Sequence, residues 1–122
     1  PGPGAAIRIM GEVTKERLAM QQHADSIVLE EMKKSGWYKK VFHSFAIATG
    51  AFSTALKGDG RALLEVICVR ILQSSEEMTA TWAHLPYRIL QNISSRIVNE
   101  VPGVSRVVYD ITTKPPATME WE

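Results

Sequence analysis

The feature that most constrains the fold is a pair of apolar runs joined by the short polar segment KGDGR. The runs cover residues 42–56 and 62–72, and both have the composition of β-strands. The segment between them, residues 57–61, contains Asp59-Gly60, a dipeptide that suits the positive φ angles of a tight turn. The sequence therefore predicts a β-hairpin whose first strand is interrupted at Gly50.

The second strand of this hairpin is apolar on both faces. Alternation places two sets on opposite sides: Leu63, Ile67, Val69 and Ile71 against Leu64, Val66, Cys68 and Leu72. Because an apolar sheet face left bare is a liability, both faces need a cover. The pattern favours a second copy of the chain as the cover that helices do not supply. The alternative is the connection at 74–86, which carries Trp82 and Leu85.

Two amphipathic helices are predicted on either side of the hairpin. Thr14 is a candidate N-cap for a helix that runs to about Ser35, where Gly36 supplies the stop. Pro86 suits the first turn of a second helix. The apolar residues of this helix recur at intervals of four: Ile89, Ile93, Ile97 and Val101.

Two further strands complete the predicted secondary structure. Residues 104–111 alternate between apolar and polar, and residues 118–121 are a candidate edge strand after the Pro115-Pro116 pair. The order is then α-β-β-α-β-β. This order indicates an α+β fold, a two-layer α/β sandwich in which two helices lie on one face of an antiparallel sheet.

Composition and spacing argue against several classes of function. The net charge is +1 without a basic stripe, which speaks against a nucleic-acid module, and no apolar run has the length of a membrane span. The single cysteine, Cys68, excludes an internal disulfide and a cysteine-built metal site, and it fits a reducing compartment. His23, His43 and His84 lack the spacing of a metal-binding pair, so no metal site is expected.

Two cations near the C-terminus, Arg106 and Lys114, are the candidate binding residues. An arginine and a lysine beside backbone N–H groups can bind a phosphate, and the two prolines after Lys114 lower the entropy lost when the chain is fixed. Glu120 and Glu122 argue against a phosphate directly beside them, although they could orient Lys114 or accept hydrogen bonds from sugar hydroxyls. On spacing alone, two surface cations on a hairpin are the favoured interpretation.

Five segments of the chain occur in the order of one known family. They are PGPGAAIRIMGEVT, GDGR, MTATWAHLPY, IVNEVPGVSRVVYDI and KPPATMEWE. Together they resemble the C-terminal dimerisation domain of glutamine-hydrolysing GMP synthase across essentially the whole chain. The last segment is the most specific, because KPPATMEWE after SRVVYDI is hard to meet by chance.

The resemblance implies a cytoplasmic enzyme that converts XMP to GMP. In that family ATP, with Mg, adenylylates the purine carbonyl oxygen, and ammonia released from glutamine displaces the adenylate. PGPG is similar to the junction that follows the family's ATP pyrophosphatase domain. Residues 1–13 are therefore expected to be a junction segment and residues 14–122 the dimerisation and XMP-binding domain. The glutaminase and pyrophosphatase sites are expected upstream, so this chain is expected to hold no catalytic residue and no cofactor.

The resemblance also implies which residues contact XMP, mainly around its phosphate, and that the domain forms a homodimer. The implied contacts are Arg106, Lys114, Thr118, Met119, Glu120 and, from the opening segment, Arg8. Spacing alone favours Arg106 and Lys114 as surface cations, whereas the resemblance favours a role for both in binding XMP.

The chain departs from the family pattern in its hairpin. His43 stands where glutamine is usual, TGAFSTAL at 49–56 replaces a run that carries a cation, and ALL at 62–64 stands where a tyrosine is usual. These departures motivate an alternative hypothesis, a purely structural dimerisation module that has lost nucleotide binding. The intact final segment favours the nucleotide-binding hypothesis over it.

Overall fold

The computed structural model describes residues 4–58, 60–73 and 79–122. In chain order the elements are α1 (Gly4–Ile7), α2 (Lys15–Lys34), a 3₁₀ helix (Tyr38–Lys40), β1 (His43–Lys57), β2 (Gly60–Gln73), β3 (Thr81–Trp82), α3 (Tyr87–Glu100) and β4 (Val104–Tyr109). The predicted α+β architecture of two layers is confirmed. The division at residue 13 stays a prediction, and residues 1–3 of the expected junction lie outside the described residues.

The long strand β2 is the centre of the sheet. It pairs antiparallel with β1 along its length and antiparallel with β3 near its C-terminal end. β4 pairs with β2 in parallel, with Glu65 opposite Val104 and Val69 opposite Tyr109. The expected antiparallel pairing thus holds for β1 and β3 but not for β4. The reason is that α3 crosses over between β2 and β4 and returns the chain to the same end of the sheet.

One face of the sheet is covered by α2 and α3, as predicted. The Thr14 hydroxyl caps α2 by accepting a hydrogen bond from the Arg17 N–H at 3.1 Å, and Gly36, with φ +82°, follows the end of the helix. The helices and the sheet bury a common core: Ala24, Ile27, Val28, Met32, Ile89, Ile93 and Ile97 against Ala46, Ala48, Ile67, Val69 and Ile71. The helices therefore cover the part of the sheet that carries this core.

The opposite face, called the second face here, is covered by other parts of the same chain near the C-terminal half of β2. Phe45, Ile47 and Cys68 form a second buried cluster against which Met10 packs. For Leu85 the predicted loop alternative is wrong, because Ala83 and Leu85 join the core on the helix side. Trp82 lies opposite Leu72 of β2. Residues 74–78 of that loop lie outside the described residues.

An irregularity divides β1 into two halves, as the glycine at position 50 predicted. The pairing register with β2 shifts between Ala48 and Phe52. Gly50 has φ +75°, and a Cβ there would lie 3.1 Å from the Met10 carbonyl oxygen. The buried carboxylate of Glu65 fixes this bulge, since it accepts hydrogen bonds from the Gly50 N–H at 2.9 Å and from Arg17 Nε at 3.0 Å. The inner half of the hairpin, residues 43–48 paired with 67–72, therefore packs on the helices. The outer half, residues 52–57 paired with 60–65, is largely exposed.

The hairpin turn lies one residue earlier than predicted. Lys57 pairs with Gly60, so the two strands are joined between these residues, and Gly58 has φ +60°. Gly60 is already part of β2, while the predicted positive φ at Asp59 lies outside the described residues.

The predicted edge strand at 118–121 is wrong. These residues lie on the second face without a strand partner among the described residues, and the carbonyls of Thr118 and Met119 accept hydrogen bonds from the side chain of Arg70 in β2. Among the helices that the structure describes, none has the length and apolar character needed to cross a membrane.

Candidate functional site

The C-terminal segment, residues 111–122, is called the tail here, and it lies on the second face. Before it begins, the Asp110 N–H donates to the Val69 carbonyl at 3.0 Å and extends the pairing of β4 by one residue. Within it, Lys114 and Ala80 exchange two backbone hydrogen bonds of 2.8 and 3.0 Å. The Ala117 N–H donates to the Thr113 carbonyl at 3.2 Å, and the bonds before Pro115 and Pro116 are cis. The tail is thus fixed to the rest of the molecule by specific contacts.

Arg70 of β2 is the centre of these contacts. Its side chain has no exposed surface, and its guanidinium forms an ion pair of 2.9 Å with Asp110. The remaining N–H groups donate to three carbonyl oxygens of the tail: Thr112 at 3.1 Å, Thr118 at 2.7 Å and Met119 at 3.0 Å. A buried charge costs free energy unless it is paired and hydrogen-bonded, and here the tail supplies most of the acceptors.

Arg8 and Glu120 join the beginning of the chain to the tail. Arg8 Nε and Nη2 donate to the two carboxylate oxygens of Glu120 at 3.0 and 2.9 Å, and the Arg8 guanidinium lies 4.0 Å from the centre of the Phe45 ring. The hydrogen bonds that Arg8 donates to Glu120 raise the pKa of Arg8 above its ordinary value. Glu120 therefore does not present a free carboxylate to a ligand.

Asp25 of α2 contributes a second carboxylate beside Arg8. Its Oδ1 accepts a hydrogen bond of 2.9 Å from the Ala46 N–H. Burial raises the pKa of Asp25, and the positive charge of Arg8 opposes that rise. Arg8 thus lies within the electrostatic reach of two carboxylates from separate parts of the fold.

A cleft of about 360 Å³ lies between the tail and the second face. Its lining includes Arg70, Asp110, Pro116, Thr118, Glu120 and Trp121. The Trp121 indole N–H donates to Asp110 at 3.0 Å, so the same carboxylate anchors Arg70 and the end of the tail. The cleft lining combines the charged residues Arg70, Asp110 and Glu120 with the rings of Pro116 and Trp121.

The structure brings four of the six predicted site residues together. Arg8 and Glu120 are paired directly, while Thr118 and Met119 bind Arg70 through their carbonyl groups. These contacts lie within the chain itself, and the contacts with XMP that the resemblance implies stay a prediction.

The other two predicted residues occupy separate positions. Arg106 is exposed in β4 opposite Val66, four residues along β2 from Arg70, which corresponds to about 13 Å. Lys114 lies five residues beyond the end of β4, and its backbone pairs with Ala80. The fold thus places Arg106 in the strand that leads to the tail and Lys114 within the tail.

Arg70 was missed at the sequence level, although the sequence contains a signal for it. A single charged residue stands in the run VICVRIL, at a position where alternation points it to the second face. A charge at the centre of a strand that is buried on both sides needs a partner within the protein. That signal predicts a buried ion pair, but it does not say that the tail supplies the acceptors.

The cysteine and the histidines show no sign of a reactive or metal site. Burial raises the pKa of the Cys68 thiol to about 12, so the thiol stays protonated at neutral pH. His43 lies edge-on between the rings of Phe42 and Phe45, and the His84 ring stacks on Trp82. Among the residues described, no group of three or more histidine, cysteine and carboxylate side chains is arranged to hold a metal ion.

Comparison with known proteins gives one consistent result. The family described as the GMP synthase C-terminal domain matches residues 30–121. Proteins named GMP synthase [glutamine-hydrolyzing] are similar over all 122 residues: 57% identical in Caldanaerobacter subterraneus, 53% in Campylobacter jejuni and 53% in Nitratidesulfovibrio vulgaris. The chain spans 24% of the length of each of these relatives. The match covers both the hairpin and the tail, and the chain therefore belongs to the GMP synthase C-terminal domain family.

Proposed function

We propose that this chain acts as the C-terminal domain of a glutamine-hydrolysing GMP synthase, a cytoplasmic ligase that converts XMP to GMP. The observation that carries the proposal is the similarity of all 122 residues to relatives of that name at 52–57% identity. In this assignment ATP and Mg bind to the upstream pyrophosphatase domain, and the glutamine amidotransferase domain supplies ammonia. The present chain contributes substrate binding and assembly, and no catalytic group.

The tail and β4 are the proposed contacts for XMP, through the phosphate in particular. Arg106 is an exposed cation on β4, and Lys114 adds a second cation in the tail. The bidentate pair between Arg8 and Glu120 supports a phosphate nearby, because it balances the negative charge that would otherwise repel the ligand. Thr118 and Met119 belong to the site through their backbone.

The outer half of the hairpin is the proposed surface for a homodimer. Phe52, Leu56 and Leu63, called the hairpin patch here, are 55%, 77% and 68% exposed. The pairing of Phe52 with Glu65, and of Leu56 with Arg61, places Phe52 and Leu56 on the same face of the sheet as Leu63. Three large apolar side chains exposed together are typical of a protein–protein contact.

Replacing Lys114 with alanine in the complete enzyme is expected to raise the apparent KM for XMP about tenfold or more, because a cation beside the phosphate is lost. Glutamine hydrolysis measured without XMP is expected to change little. Lys39→Ala, at an exposed position of the 3₁₀ helix, is the matched control and is expected to leave the KM unchanged. Steady-state kinetics with XMP as the varied substrate give the answer.

The alternative of a purely structural dimerisation module predicts a different pair of results. It requires an unchanged KM for XMP in Lys114→Ala and in Arg106→Ala, together with an intact dimer in sedimentation velocity. The departures at residues 49–56 motivate this alternative. They lie in β1 and not in the tail, so they bear more directly on assembly than on the proposed phosphate contacts.

A further inference from the structure

Arg70 is the most buried charged side chain among the residues described. Every acceptor that it uses belongs to the tail or immediately precedes it: Asp110, Thr112, Thr118 and Met119. Its donors are spread over three nitrogens, since Nε binds Met119, Nη1 binds Thr112 and Asp110, and Nη2 binds Thr118. This rigid fork therefore fixes both the position and the rotation of the tail backbone.

The two hydrogen bonds to Thr118 and Met119 determine which way the neighbouring N–H groups point. In a trans peptide unit the N–H points opposite to the carbonyl, and no cis bond occurs between these residues. The Thr118 and Met119 carbonyls both point at the Arg70 guanidinium, so the N–H groups of Met119 and Glu120 both point away from β2. In an extended strand successive N–H groups would point to opposite sides, so this arrangement marks a turn.

Two successive N–H groups on one side of a turn form a concave site that suits an anion. Neither the Met119 N–H nor the Glu120 N–H has an acceptor within the part of the chain that the structure describes. The Glu120 carboxylate is held by Arg8, which lowers the repulsion that it would exert on an anion beside this turn. The Arg8–Glu120 pair and the two N–H groups thus favour the same kind of ligand.

We propose that Arg70 is the positioning residue of the nucleotide site: its guanidinium sets the tail so that the N–H groups of Met119 and Glu120 face the phosphate of the substrate. This inference rests on the proposed function. Arg70 does not touch the substrate, and it acts through the two peptide units that it binds. Lys114 and Arg106 differ from Arg70, because their own charges are the proposed direct contacts with the ligand.

The test uses the complete enzyme with Arg70→Lys, which keeps the charge but replaces the planar fork with one nitrogen. The KM for XMP is expected to rise roughly 10- to 100-fold. The kcat at saturating XMP and glutamine hydrolysis without XMP are expected to change little. Binding of xanthosine, which lacks the phosphate, is expected to weaken much less than binding of XMP.

Arg17→Lys is the matched control, because Arg17 also joins a buried carboxylate and main-chain carbonyls but lies on the helix side. It is expected to lower the melting temperature without changing the KM for XMP. Asp110→Asn is the second variant. It keeps the size of the side chain and weakens the ion pair with Arg70. It is expected to raise the KM in the same direction by a smaller factor, so the test does not depend on the folding of Arg70→Lys.

Three results would overturn the proposal. An equal loss of XMP and xanthosine binding in Arg70→Lys would show that the phosphate is not what the tail presents. An equal rise of the KM in Arg70→Lys and Arg17→Lys would reduce the role of Arg70 to general stability. An effect of Lys114→Ala without any effect of Arg70→Lys would refute this inference and leave the proposed function standing, whereas no effect of either would refute both.

Discussion

Replacing Arg70 with methionine is expected to lower the free energy of unfolding of the chain by about 3–5 kcal/mol. The methionine fills much of the same volume, but it leaves Asp110 without its ionic partner at a side chain that is only 14% exposed. It also leaves the carbonyls of Thr112, Thr118 and Met119 without their donor on the second face. Urea unfolding of the 122-residue chain measures the loss.

The same variant is expected to release the tail before the rest of the molecule unfolds. Hydrogen exchange of the tail backbone should rise strongly in Arg70→Met, while the helix-side core around Ile93 and Ile97 keeps its protection. Adding Asp110→Leu is expected to recover part of the lost stability, since the unpaired carboxylate is then gone. A loss below about 1 kcal/mol, or unchanged exchange in the tail, would contradict the role given to Arg70.

Introducing glutamate at two positions of the hairpin patch, Leu56→Glu with Leu63→Glu, is expected to convert the proposed homodimer of the complete enzyme to a monomer. A charge placed in an apolar contact must be desolvated without a partner, and the two changes together should raise the dimer dissociation constant about 100-fold or more. Sedimentation velocity over a range of concentrations measures the shift. The exposure of both side chains in this chain predicts that its fold is retained.

Tyr87→Glu is the matched control for this dimer prediction. Tyr87 is 88% exposed at the start of α3 and lies outside the hairpin patch, so its replacement should leave the dimer intact. An unchanged dimer in the double hairpin variant would place the contact between subunits on another surface.

The regular elements follow from periodicity, and the departures from it have identifiable causes. The four-residue repeat of α3 and the alternation of β2 predict which side chains are buried, and the glycine at position 50 predicts the bulge. The parallel direction of β4 was not predicted, because it depends on where α3 returns the chain. The strand expected at 118–121 is absent from the described structure because a side chain, and not a neighbouring strand, binds its carbonyls.

The arrangement of the candidate site could be predicted only in part. The resemblance pointed to Arg8, Thr118, Met119 and Glu120, but local spacing gives no reason to bring the two ends of the chain together. Arg8 and Glu120 are 112 residues apart, and their side chains meet where the Arg8 guanidinium lies over the Phe45 ring. Arg70 could have been recognised as a buried charge in need of a partner, but its partner is the tail backbone, which has no characteristic residue type.

In the proposed site the tail, set in place by Arg70, receives the phosphate of the nucleotide. The most direct test is a crystal structure of the complete enzyme with XMP bound. We expect a phosphate oxygen within about 3 Å of the Met119 and Glu120 N–H groups, with Lys114 beside it and the Arg70 contacts unchanged. A phosphate bound elsewhere, with those two N–H groups facing solvent, would contradict the claim.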